Sequence, residues 1–169
     1  MPIVVSIVSQ KGGVGKSSIA QGLAALYDDT CPPSAVLIDG DPQRTTTEWF
    51  EQRPQHTPEL HTVGGRRELD AVIRSQQNRN RIIVIDTAPT IDDFIRSVVR
   101  RSNFVLIPCG MGAFDLDAVR ATVEMARKMG KPHQVILTRV PATRGGAVAP
   151  LVVRARQELR AEDIGVWPR

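Results

Sequence analysis

Aromatic residues make up only 4% of this 169-residue sequence, so its core has to be built from Val, Ile, Leu and Ala rather than from rings. Cysteine is almost absent. Cys31 and Cys109 stand alone and far apart, which excludes a disulfide framework and offers no metal-ligand spacing. No apolar run approaches the ~20 residues that a bilayer-crossing helix needs. Met1-Pro2 leads straight into an apolar segment with no charged leader ahead of it, so the expected compartment is the cytoplasm. Lysine is scarce as well, four residues against eighteen arginines, and arginine binds phosphate in a planar, bidentate way that lysine cannot. The net charge of +4 is a weak pull toward a polyanion. What remains, 41% hydrophobic and 24% charged residues, is ordinary globular composition and excludes disordered, collagen-like and coiled-coil chains. The length suits one domain.

Five short, β-branched apolar runs read as strands buried on both faces: Ile3 to Val8, Ala35 to Ile38, Ile82 to Ile85, Phe104 to Ile107 and Val135 to Leu137. Between and after them, helical spacing runs from Ser17 to Tyr27, Thr45 to Gln52, Glu68 to Gln77, Asp92 to Arg100, Leu116 to Met129 and Ala149 to Arg160. Strands separated by helices cannot pair as tight hairpins. The expected fold is therefore α/β, a parallel twisted sheet with right-handed crossovers and helices on both faces. Local punctuation agrees: Pro32-Pro33 precedes the second run, Gly130 follows a helix ending in Lys128, and Pro150 suits the first turn of the last helix.

In such a sheet ligands bind at the carboxyl ends of the strands. The first strand ends there in Ser9-Gln10-Lys11-Gly12-Gly13-Val14-Gly15-Lys16-Ser17-Ser18, and a helix follows at once. Glycines let the backbone wrap a phosphate with its N–H groups turned inward, and the helix N-terminus adds positive potential. Lys16 then reaches the β and γ phosphates, and the Ser17 hydroxyl is placed to bind Mg²⁺. The ordinary phosphate-loop pattern wants glycine five residues before Gly15, where Gln10 stands. A lysine directly ahead of the glycine pair replaces it. Ile82 to Pro89 (IIVIDTAP) ends a strand in Asp86, a second candidate for holding Mg²⁺ through water. Val36 to Gln43 (VLIDGDPQ) puts Asp39 and Asp41 at the same sheet edge. Hydrolysis needs a group to orient the attacking water and positive charge on the phosphoryl oxygens; Asp41 suits the first and Lys11 the second. The oxygen-ligand run of a calcium loop is missing.

Together KGGVGKS with its leading Lys11, DGDPQ and IVIDTAP resemble the three signatures of the deviant Walker-type ATPases of the ParA and MinD group. DPQRTTTEW (Asp41 to Trp49), FVLIPCGMGAFDLDAVRATVEMA (Phe104 to Ala126) and VILTRV (Val135 to Val140) are similar to the short, ParF-like plasmid partition branch. The resemblance implies a P-loop fold, ATP and ADP with Mg²⁺ as ligands, and weak ATPase activity stimulated by a partner. It implies a homodimer with ATP, in which Lys11 crosses the interface to the partner's phosphates. Gly12, Gly13, Val14, Gly15, Lys16, Ser17 and Ser18 correspond to the nucleotide-binding loop, Asp41 to the water-positioning carboxylate, and Ser17, Asp39 and Asp86 to groups around the metal. Thr138 and Arg139 follow the strand from which the family contacts the nucleobase, and Pro168 matches a base-stacking loop residue. Non-specific DNA, with association to the nucleoid, and a centromere-binding adaptor of the ParB or ParG kind are the implied partners. Members of the branch continue past Val166-Trp167-Pro168 with another helical segment. The expectation here is one ATPase domain over residues 1–169 that lacks it.

The basic residues from Pro132 onward, Arg139, Arg144, Arg154, Arg156, Arg160 and Arg169, outnumber Glu158, Glu162 and Asp163, in keeping with a phosphate-rich partner. Three rivals share part of the pattern. A MinD-like membrane-positioning ATPase needs a C-terminal basic amphipathic helix, whereas Ala161 to Arg169 is short and carries Glu162 and Asp163; no membrane partner is expected. A metabolic ligase of the dethiobiotin synthetase type has no use for Lys11 in a second copy. An iron protein of the nitrogenase type requires cluster-bridging cysteines, for which Cys31 and Cys109 lack the spacing.

Overall fold

The computed structural model describes residues 1–30, 35–79, 81–141 and 148–167, with residues 113–115 described in backbone only. Cys31, the Pro32-Pro33 pair, Arg144, Pro168 and Arg169 lie outside the described residues. In chain order the elements are β1 (Ile3–Ile7), α1 (Lys16–Thr30), β2 (Ala35–Gly40), α2 (Thr45–Glu51), β3 (Glu59–Thr62), α3 (Arg66–Ser75), β4 (Ile82–Thr87), α4 (Asp93–Arg101), β5 (Phe104–Cys109), α5 (Ala113–Lys128), β6 (His133–Leu137) and α6 (Pro150–Ala161). The strands pair in the order β3-β2-β4-β1-β5-β6, every pair parallel. All five expected strands and six expected helices are present. Pro150 opens α6 within its first turn, and Gly130, at φ +63°, closes α5.

Period-two alternation sorts the strand side chains onto two faces. On one, Val36, Ile38, Ile83 and Ile85 pack beneath Leu69 of α3 and Val98 of α4, and Val105, Ile107 and Val135 beneath Val119 and Val123 of α5 and Leu159 of α6. On the other, Val5, Ile7, Leu37 and Val84 meet Ala20 and Ala24 of α1. Two alanines on the buried stripe let that helix sit close to the sheet. Helix α1 covers β2, β4 and β1, but among the described residues no helix follows over β5 and β6. There Phe104, Leu106 and Ile136 floor an apolar groove of about 490 Å³ beside Leu26 and Trp167. Trp167 is 52% exposed although its amide donates to the carbonyl of Val135 at 2.7 Å.

Strand β3 is the element that apolar runs do not reveal. Its sequence, Glu-Leu-His-Thr, is short, polar at alternate positions and lies at the sheet edge beside β2. It is held by side chains: Glu59 accepts hydrogen bonds from Arg81 and Gln76, and its contacts with His61 and Arg81 keep its carboxyl below the usual range despite the opposing cost of burial. Among the described residues no helix is long and apolar enough to cross a membrane.

Candidate functional site

The carboxyl ends of β2, β4 and β1 lie side by side, and the loop after β1 turns over them into α1. Two of its glycines have left-handed backbone, Gly13 at φ +70° and Gly15 at φ +91°, a conformation that costs a side-chain-bearing residue roughly 1–2 kcal/mol. Val14 between them is buried and anchors the turn. Lys16 is the first residue of α1 and is only 5% exposed. Its Nζ donates to the carbonyl oxygen of Lys11 at 2.8 Å, closing the loop across its mouth. Burial pushes the Lys16 ammonium below the usual lysine range, with nearby Asp86 and Asp41 working against that shift.

Asp39 and Asp86 sit opposite one another in register on β2 and β4, both fully buried. Asp39 is satisfied: one oxygen accepts from the amide of Asp41 at 3.1 Å, the other from the amide and hydroxyl of Thr47 at 2.9 and 2.6 Å. It therefore ties the DGDPQ turn to the N-terminus of α2. Asp41 accepts from the amide of Gln43 at 2.9 Å, and Arg44, at φ +57°, donates to the carbonyl of Asp39 at 2.9 Å. Asp86 is different. Its Oδ2 accepts from the Thr46 hydroxyl at 2.6 Å, while its Oδ1 is buried with no hydrogen-bond partner. Burial raises its carboxyl above the usual range; the hydroxyls of Thr46 and Ser17 oppose this, and Asp39 and Asp41 add to it.

These groups border an open cleft of about 450 Å³ lined by Gly12, Gly13, Gly15, Lys16, Ser17, Ser18 and Asp41 together with Gln43, Thr45, Pro89 and Arg139. Thr138 is fixed by its amide and hydroxyl on the carbonyl of Cys109, at 2.8 and 3.2 Å, and its methyl lies about 3.9 Å from where a Cβ on Gly15 would stand. Arg139 lies over Gly13. The fold thus brings Lys11, the glycine loop, Lys16, Ser17, Asp41, Asp86, Thr138 and Arg139 to one edge. Thr46, Thr47 and Arg44 are participants that sequence reasoning did not single out. Their signal was the run of three threonines opening the helix after Asp-Pro-Gln.

Among the described residues no three His, Cys, Asp or Glu side chains converge to hold a metal ion by themselves. Mg²⁺ bound with a nucleotide takes one or two protein oxygens, phosphates and waters. A buried carboxylate oxygen without a partner beside the Ser17 hydroxyl fits that donor set.

A parallel sheet whose first strand runs through a glycine-rich turn and a buried lysine into a helix defines a P-loop nucleotide-binding domain. This chain belongs to the CobQ/CobB/MinD/ParA nucleotide-binding domain family, whose model matches residues 5–155. It is 30% identical, over 96% of its length and 73% of the relative's, to the maintenance of carboxysome distribution protein A of Gloeobacter kilaueensis. Among solved structures it is similar to apo McdA of Cyanothece, with a TM-score of 0.81 at 16% identity, covering 99% of this chain and 85% of that one. It is also similar to an AMPPNP-bound putative plasmid partition protein of Borrelia burgdorferi, with a TM-score of 0.73 at 20% identity, covering 99% and 87%. The expected α/β P-loop fold and the ParA and MinD resemblance are borne out.

Proposed function

We propose that this chain is a partition-type ATPase that works as a switch: ATP with Mg²⁺ pairs two copies, the pair holds duplex DNA without reading sequence, and hydrolysis releases it. The observation that supports this reading is the phosphate loop itself, with Lys16 buried and held at 2.8 Å on the Lys11 carbonyl. Lys16 grips the phosphates from within its own copy, and Lys11 serves the phosphates of the neighbouring one. Ser17 and Asp86 hold the Mg²⁺, which supplies charge neutralisation at the phosphoryl oxygens. Asp39 stands next to them and keeps the DGDPQ turn in place. Asp41 orients the attacking water, and Thr138 lies toward the nucleobase.

Turnover is slow alone, and a centromere-binding adaptor that inserts a transition-state arginine raises it, by the roughly 10³–10⁵ that such an arginine provides in related chemistry. The cargo is a plasmid or chromosome, and association with the nucleoid follows from the DNA-bound state. A second reading of the cargo, distribution of carboxysomes or a similar body, is favoured by the name of the 30% identical relative. Nucleotide-dependent sizing tests the switch: Lys16→Ala loses nucleotide, and Lys11→Ala keeps nucleotide but stays single. Turnover that is independent of protein concentration, DNA and adaptor would instead mark a metabolic ligase.

A further inference from the structure

The seat of Arg139 is unusual in three respects. Its backbone is left-handed at φ +54°, an uncommon conformation for a residue with a long side chain and one that persists only where the surroundings fix it. They do so here through Thr138, which spends both its amide and its hydroxyl on the Cys109 carbonyl. The guanidinium then lies against the phosphate loop, one terminal nitrogen foremost: a Cβ on Gly13 would stand 3.1 Å from that nitrogen and 3.9 Å from the central carbon, so the absence of a side chain at Gly13 makes the seat. No carboxylate among the described residues forms an ion pair with Arg139, and it lines the same cleft as Lys16 and Ser17.

We infer that Arg139 is a phosphate-gripping residue of its own copy's nucleotide, closing over the outer side of the glycine loop while Lys16 closes the inner side, and is not a nucleobase contact. The inference rests on the nucleotide-binding reading of the cleft and deepens it. The neighbour of this guanidinium is a glycine turn whose amides gather anions. A planar fork of donors held there without an acidic partner is matched to phosphate oxygens. The left-handed backbone supplies the aim, since an extended residue 139 would send its side chain elsewhere from the end of β6.

Titration calorimetry with ATP, ADP and inosine triphosphate on the full chain separates the two roles. Arg139→Gln is expected to weaken all three by the same factor, about ten- to a hundredfold, with the ATP-to-inosine-triphosphate ratio and the unfolding midpoint unchanged. Arg139→Lys, which keeps the charge and loses the fork, is expected to recover part of that loss. A change in the ratio with little loss of phosphate-dependent affinity would place Arg139 at the base and overturn the inference, as would unchanged affinity for all three. Wild-type protein that takes up no adenine nucleotide would overturn the nucleotide reading itself, a result distinct from either.

Discussion

The ends of β2 and β4 carry the same residue at the same register, in equal burial, and treat it in opposite ways. Asp39 spends both oxygens inside the fold, on Asp41 and Thr47; Asp86 keeps one oxygen without a partner. A buried carboxylate with its hydrogen bonds made is part of the architecture, whereas one left short of them costs free energy until something else fills the gap. The β2 end therefore builds the turn, and the β4 end keeps a carboxylate oxygen that the fold does not pair. Two aspartates that look alike as letters after apolar runs thus have opposite consequences for stability and for chemistry.

Replacing Asp39 should produce the largest effect on folding. Asp39→Ala strands two backbone amides and the Thr47 hydroxyl where water reaches them poorly, at a cost of about 3–5 kcal/mol, a large share of a domain's usual margin. Urea unfolding reads this as a lower midpoint with unchanged slope. A loss under about 1 kcal/mol would show that the turn does not depend on that carboxylate.

Asp86→Asn reverses the pattern. The unliganded protein loses no stability, because an unpaired buried charge is gone, while Mg²⁺-dependent ATP turnover falls by about a hundredfold and nucleotide uptake in EDTA survives. Unfolding at several pH values sharpens the contrast. The folded state raises the Asp86 carboxyl above its unfolded value, so the stability tied to its proton is fully present below the ordinary carboxylate range and is lost as pH rises through the raised value. Asp70, held below the usual range by Arg101, and Glu59, held there by His61 and Arg81, act in the other direction and lose their contribution as pH falls. The wild-type minus Asp86→Asn difference isolates the first effect and should grow more unfavourable to wild type with rising pH.

Much of this was legible in the residues. Apolar runs located five strands because parallel strands buried on both faces are apolar throughout, and the order of strand, glycines, Gly-Lys-Ser and helix located the phosphate loop. Strand β3 was not visible, since an edge strand held by Glu59, Arg81 and Gln76 carries no apolar signature. Nor was the division between Asp39 and Asp86. It depends on where α2 starts, on three threonines whose letters read only as a polar helix, and on pairing between β2 and β4 across some forty intervening residues. The uncovered half-face over β5 and β6 was equally hidden, because Phe104, Leu106 and Ile136 look like any other core residues in sequence.

The smallest predicted effect probes Asp86 through the Thr46 hydroxyl. Thr46 is fully buried; its hydroxyl donates to Asp86 at 2.6 Å and accepts from Gln21 at 3.2 Å. Thr46→Val keeps the shape and removes that donor, leaving the Ser17 hydroxyl as the remaining side-chain donor near Asp86. The expected cost is about 1–2 kcal/mol at pH 8, shrinking toward acid pH as Asp86 takes up its proton and its charge no longer needs a donor. Because the loss acts through the charge on Asp86, a double-mutant cycle with Asp86→Asn should show coupling of about 1 kcal/mol. If the two substitutions simply add, the Thr46 hydroxyl matters for Gln21 and α1 instead.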